Sequence, residues 1–322
     1  MRYNQPTMLS RRLFLMAAGA AAAAPKLTPR QRIDRAMRGL EVDRPPFTFW
    51  HHFGLEKLPG ERHARATLEF HRKFRTDLVK VMSDYPYPKP KGNWYELRVE
   101  VNPFPEQIRA LRMIREGVAG RAYILETVFN SYKVAENLSS PQAVRQLMAE
   151  KPEALLRALE VINRSQINHA RRAIAGGASG IFLAIANADQ TVLSREEYAR
   201  FSEPFDKALL AAVRQAPLNT LHLHGDQVYL DLFYKGWLAS ILNYSRHGTG
   251  VTVTDVRQKY GGVLMCGLDH SNFRRLSEAE LREQWREAQE AAGRRFILAP
   301  GCSVPNDSTD EELLRLVKVL GA

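Results

Sequence analysis

Eight short apolar runs, rich in β-branched and aromatic residues, recur along the chain with helical periodicity between them. They span 46–53, 78–85, 123–131, 180–187, 220–226, 239–244, 262–269 and 295–302. Several are nearly continuous in hydrophobes, the pattern of parallel strands covered on both faces. Between them, residues 62–75 place Ala66, Phe70 and Phe74 on one side of a helix. Pro105 opens another, proline being suited to a first turn. Residues 141–175 read as a long helical region broken at Lys151-Pro152. Ser194 and Ser277 each precede a glutamate by three positions, the capping-box spacing, and start helices over 194–215 and 277–292. A last helix covers 310–320, and 27–40 reads as an extra helix ahead of the first strand.

Strands alternating with helices in one domain predict a closed (β/α)₈ TIM barrel with that extra N-terminal helix. A doubly wound sheet usually carries a glycine-rich phosphate loop after its first strand. Here His51-His52-Phe53-Gly54 stands in that place. Apolar content of 45% and charged content of 25%, without low-complexity runs or a fixed-period repeat, exclude a disordered chain or a solenoid.

The N-terminus reads differently. Ser10-Arg11-Arg12-Leu13-Phe14 followed by an alanine-rich stretch to Ala24 is a twin-arginine export pattern. Residues 1–24 therefore read as a signal and 25–322 as a single barrel domain. The apolar stretch is too short for a mature membrane span, so periplasmic or other export without stable membrane insertion is expected. Twin-arginine export carries folded proteins, often already loaded, which favours a metal or cofactor site. The net charge of +11 includes three signal arginines, Arg2, Arg11 and Arg12. The remaining cations are scattered among acids on helices, with no nucleic-acid motif, so no nucleic-acid partner is expected.

In such a barrel, catalytic groups gather where strands run into the following loops. Those ends carry His51, His52, Asp84, Asn130, Ser131, Asn187, His222, His224, Asp226, Asn243, Tyr244, Cys266, Asp269 and Cys302. His222 and His224, two apart on a strand, point to the same side. They are either two ligands of a metal, with Cys302 as a third, or a hydrogen-bonded pair orienting a substrate carboxylate. Asp84 is either a proton-handling or cation-stabilising carboxylate or a turn residue. His51, His52, Asn130, Asn187, Asp226, Cys266 and Asp269 are candidates for substrate binding. Cys266 and Cys302 form a disulfide, or are small buried residues, or include a functional thiol.

Arg32-Ile33-Asp34-Arg35-Ala36-Met37-Arg38-Gly39, then Asp43-Arg44-Pro45-Pro46, resembles the N-terminal signature of uroporphyrinogen decarboxylase-like proteins. So do His224-Gly225, Cys266-Gly267-Leu268-Asp269 and Pro300-Gly301-Cys302, in the same order. The resemblance implies a (β/α)₈ barrel and two chemistries. One is cofactor-free decarboxylation of uroporphyrinogen, in which Asp84 resembles the aspartate that meets the pyrrole nitrogens and Tyr132 the tyrosine after the third strand. That branch's arginines after the first strand are replaced here by His51-His52-Phe53-Gly54-Leu55. The other is methyl transfer between corrinoid proteins and thiols. There zinc sits on a His-x-Cys motif and a later Pro-Gly-Cys, which His222-x-His224 and Cys302 resemble with one cysteine replaced. Metal-assisted methyl transfer is the leading expectation; decarboxylation and non-catalytic ligand binding are the alternatives. The expected partners are a small-molecule substrate and, by the resemblance, a corrinoid or tetrapyrrole, with a homodimer as an allowed assembly.

Overall fold

A computed structural model describes residues 26–82 and 85–321. The expected signal, residues 1–24, and Asp84 lie outside the described residues. The chain opens with helix α1 (Pro29–Arg38) and α2 (Gly60–Phe74), then strand β1 (Leu78–Val81), α3 (Pro105–Val118) and β2 (Tyr123–Phe129). Three helices follow, α4 (Ser131–Leu138), α5 (Pro141–Glu150) and α6 (Pro152–Gly176), before β3 (Gly180–Ile185). Then come α7 (Arg195–Phe201), α8 (Glu203–Ala212), β4 (Thr220–Leu223), β5 (Ile241–Tyr244), α9 (Arg246–Thr249) and α10 (Val253–Lys259). Strand β6 (Val263–Leu268), α11 (Glu278–Ala292), β7 (Phe296–Pro300) and α12 (Asp310–Lys318) complete it.

All seven strands are parallel and neighbours in chain order, β1 through β7. The predicted first strand forms no ladder, because Pro45 and Pro46 bring no N–H donors. It nevertheless closes the ring as an extended segment. Thr48 N–H donates to Leu298 O at 3.0 Å, and Asp77 N–H donates to Phe47 O at 2.9 Å. The barrel prediction therefore holds, with seven regular strands and one irregular closure among the described residues.

Strand parity divides the core. Trp50, Leu78, Met82, Leu125, Phe182, Leu218, Ile241, Val263, Met265 and Ile297 fill the barrel interior, and Ile33 of α1 plugs its N-terminal mouth. The larger outer cluster packs the opposite strand faces against the helices. The capping boxes at Ser194 and Ser277 both form. The predicted helix over 194–215 breaks at Ser202, where Pro204 starts α8. The third apolar run ends early, because Asn130 turns the chain and its side chain accepts from Lys133 N–H as the cap of α4.

Beneath the barrel, Asp77 is fully buried between two guanidiniums. Arg32 meets it at 2.9 Å and Arg44 at 2.5 Å, while Asp43 holds the other side of Arg32 at 2.7 Å. Asp77 also accepts from Phe47 N–H at 3.0 Å. The N-terminal signature thus ties the extra helix and the closing segment to the start of β1. No described helix is long and apolar enough to cross a membrane.

Candidate metal centre

His222 sits on the inner face of β4, in register with Ala184 of β3 and Asn243 of β5. The backbone N–H of His224 donates to Ile185 O at 2.9 Å, which continues the pairing so that His224 follows His222 toward the same side. Cys302 arrives from the end of β7. Its sulfur lies 3.2 Å from His224 Nδ1 and 3.8 Å from His222 Nε2. All three donor atoms lie within 4.8 Å of one another. Nitrogen and sulfur ligands of a tetrahedral zinc stand about 3.6 Å apart at ordinary bond lengths, so the set fits such an ion.

The flanking backbone explains two motif glycines. A side chain at Gly301 would come within 2.4 Å of Ser245 Cα, so only glycine lets β7 pass over the end of β5 and deliver Cys302. Gly225 adopts φ of +125°, a conformation side-chain-bearing residues avoid, and turns the chain sharply after His224.

Asn243 sets the proton on His222. Its amide NH₂ donates to two carbonyls, Met265 O at 2.6 Å and Pro300 O at 3.0 Å, which fixes the amide orientation. Its Oδ1 therefore faces His222 Nδ1 at 2.5 Å and can only accept. His222 therefore keeps a proton on Nδ1 and turns Nε2 toward Cys302, the nitrogen that would ligate a metal once its own proton is displaced. Asn243→Leu is expected to weaken zinc binding by about 10–100-fold, as loss of an orienting partner does. Competition against a chromophoric chelator measures this, and an unchanged affinity would refute the role.

Electrostatics favour a thiolate. Burial pushes the Cys302 thiol up, but hydrogen bonds and charge from His222 and His224 outweigh it and bring it down to about 3. His224 is correspondingly raised, first by its hydrogen bond to Cys302 and against its own burial.

These donors border a cavity of about 270 Å³ whose walls are largely apolar, among them Trp50, Met82, Phe129 and Phe182. The His222 ring stacks on Phe182 at 4.9 Å. Lys80 brings its ammonium over the rings of Trp50 at 4.8 Å and Phe182 at 4.5 Å. Lys133, on α4, stands at the cavity wall and pairs with Glu136 at 3.1 Å. Lys80 and Lys133 were not among the strand-end residues read from the sequence, and Asn243 was among them without a role. A lysine in the apolar run Leu78-Val79-Lys80-Val81-Met82, sharing parity with two interior residues, was the available signal for the first.

Of the sequence candidates, His52 lines this cavity beside His222, His224 and Cys302. Others go elsewhere. His51 turns away and packs its ring on Phe53 at 4.9 Å and Phe70 at 5.3 Å. Asn130 and Asn187 are buried, joined to each other at 2.6 Å, and Asn130 reaches Ser202 at 3.0 Å and Asp206 at 3.3 Å. They build a polar layer under the strand ends instead of lining the cavity. Asp206 in that layer is pushed up to about 7, chiefly by burial. Asp226 is exposed beyond the strand end. Cys266 has the outward parity of β6 and packs in the outer core, where burial pushes its thiol up to about 12. Both cysteines are free, so the disulfide reading falls. Asp269 secures its own turn, accepting from Ser271 N–H at 3.0 Å and Asn272 N–H at 3.1 Å. Tyr132 is buried against a neighbouring cavity that shares Lys133 and His224 with this one.

No sequence among curated proteins matches the chain. Among solved structures, it is similar to a methyltransferase from Methanosarcina mazei, with 18% identity and a TM-score of 0.74 over 92% of this chain and 99% of that one. It is also similar to a B12-independent methionine synthase from Shewanella sp. W3-18-1, at 12% identity and a TM-score of 0.55, over 86% of this chain and 91% of that one. A putative B12-independent methionine synthase from Listeria monocytogenes aligns at 9% identity and a TM-score of 0.54, over 86% and 96% of the two chains. At these identities the likenesses establish the fold. The profile of the uroporphyrinogen decarboxylase (URO-D) family matches residues 92–321, well over half of the sequence, and the chain belongs to that family.

Proposed function

We propose that the chain is an enzyme that moves a methyl group onto a thiol or related soft nucleophile, with zinc held by His222 Nε2, His224 Nδ1 and Cys302 Sγ. The observation that carries this reading is the convergence of those three donors, with Asn243 fixing the first imidazole, beside an apolar cavity. Three protein ligands leave a position for substrate, and zinc bound there supplies the charge that keeps an incoming thiol as its thiolate. Trp50, Met82, Phe129 and Phe182 present apolar surface beside the donors, which thins the hydration of a nucleophile bound there. The methyl carbon forms its new bond to sulfur as the bond to its donor breaks. The Lys80 ammonium, held over two rings, is suited to an anionic group on either reactant.

The similarity of the fold to a methyltransferase from Methanosarcina mazei supports this reading. A corrinoid methyl donor and export of the folded, loaded domain 25–322 belong to the same proposal. Decarboxylation leans on Asp84, which the structure does not describe, and on carboxylate clamps. Among the described residues lining the cavity there is no arginine.

Elemental analysis of the purified chain, with an assay of methyl transfer from methylcobalamin to 2-mercaptoethanol, tests the proposal. About one zinc per chain is expected, with turnover lost on chelation and restored by zinc. Zinc-free protein, or transfer indifferent to chelation, would sink it.

A further inference from the structure

We propose that a cavity at the plugged end of the barrel binds a small molecule carrying two or more phosphate groups. The cavity is about 800 Å³, within the range of small-molecule sites. It lies where β2 and β3 begin, bordered by Ala122 and Ser179, at the opposite end of the strands from Cys302. Its walls carry four arginines from three helices: Arg30 of α1, Arg112 and Arg115 of α3, and Arg172 of α6. One carboxylate, Glu116, shares the wall with them.

The second observation is how these guanidiniums are held. Elsewhere the exposed arginines Arg109, Arg145, Arg195 and Arg200 each pair with a carboxylate. Among the described residues, no carboxylate stands within salt-bridge distance of any of the four cavity arginines. Other contacts position them instead. Arg30 lies over the Tyr123 ring at 4.2 Å, and Arg172 Nε donates to Val101 O at 2.9 Å. Arg115 runs across Gly177, whose φ is +110° and where any side chain would collide with the arginine Cδ. All four residues are exposed, and a guanidinium carries five N–H donors, so most of their donors face the cavity and solvent unspent. A carboxylate is served by a single guanidinium fork, whereas a phosphate offers three oxygens around one centre and accepts from arginines on different helices. With Glu116 set against the four arginines, the excess positive charge matches two phosphates at about −1.5 to −2 each.

Calorimetric titration of the full chain with fructose 1,6-bisphosphate tests this, at about 0.15 M salt so that general attraction to a basic surface is screened. One molecule per chain is expected to bind, and Arg112→Gln and Arg115→Gln should each weaken it at least about tenfold. Arg200→Gln removes the same charge outside the cavity and should leave the affinity within about twofold. Tricarballylate, with three carboxylates, should bind at least about tenfold more weakly than the bisphosphate. The absence of saturable binding would overturn the proposal, as would several molecules per chain or a loss as large in Arg200→Gln as in the cavity variants. Equal binding of tricarballylate would overturn the choice of phosphate. Binding to phosphatidylglycerol vesicles without binding of the bisphosphate would assign the arginines to a lipid headgroup and overturn it too. All three substitutions fall at exposed positions, and the titration needs no turnover and no metal, so its failure and that of the zinc reading are separate events.

Discussion

Cys302→Ala is expected to lower zinc affinity on the order of several hundred-fold and to abolish methyl transfer at micromolar zinc. Four protein ligands together bind structural zinc with about 10–16 kcal/mol, so one ligand is worth roughly 3–4 kcal/mol. Cys302 should sit at the upper end of that range. It is the only anionic member of the set, already held as thiolate by His222 and His224. Titration against a chromophoric chelator reads the change. Cys266→Ala is the control: that thiol is buried in the outer core and kept protonated, so stability should fall while zinc affinity holds. If the two alanine variants bound zinc alike, the sulfur of Cys302 would not be a ligand.

Asp77→Ala is expected to destabilise the fold by about 3–5 kcal/mol, the cost of leaving buried charges without their partner. Arg32 and Arg44 both converge on this carboxylate, whose side chain has no exposed surface. The same carboxylate accepts from Phe47 N–H, so its removal loosens the seam where the irregular segment closes the ring. Thermal unfolding should shift down on the order of 10 °C for a chain of this size. Zinc content of the folded fraction should hold, because the cluster lies at the opposite end of the strands from His222. A melting temperature equal to that of the parent would show that the arginines find other partners at no cost.

The architecture was legible because parallel strands and amphipathic helices write different periods into the sequence, and because the family motifs keep their order. The metal ligands were legible for a narrower reason: two histidines at strand spacing must share a face, and the last strand ends on a thiol. Parity also shows why other strand-end candidates failed. His51 and His52 are adjacent, so one must face outward, and it is His51 that joins the aromatic cluster. Cys266 fails by the same alternation. Asn130 and Asn187 carried the right chemistry at the right height, but their partners Ser202 and Asp206 come from another helix, seventy or so residues on for Asn130. No local pattern announces such a pairing. Asn243 stood at its strand end in the sequence, but its role was hidden for the same reason, since it depends on carbonyls of two other strands.

Ile33 and its helix stopper one end of the ring, and this gives the molecule a front and a back. Leu27, whose N–H donates to Asp43 of the charged cluster, stands on that stoppered side, so the thiol of Cys302 is met only from the opposite mouth of the ring.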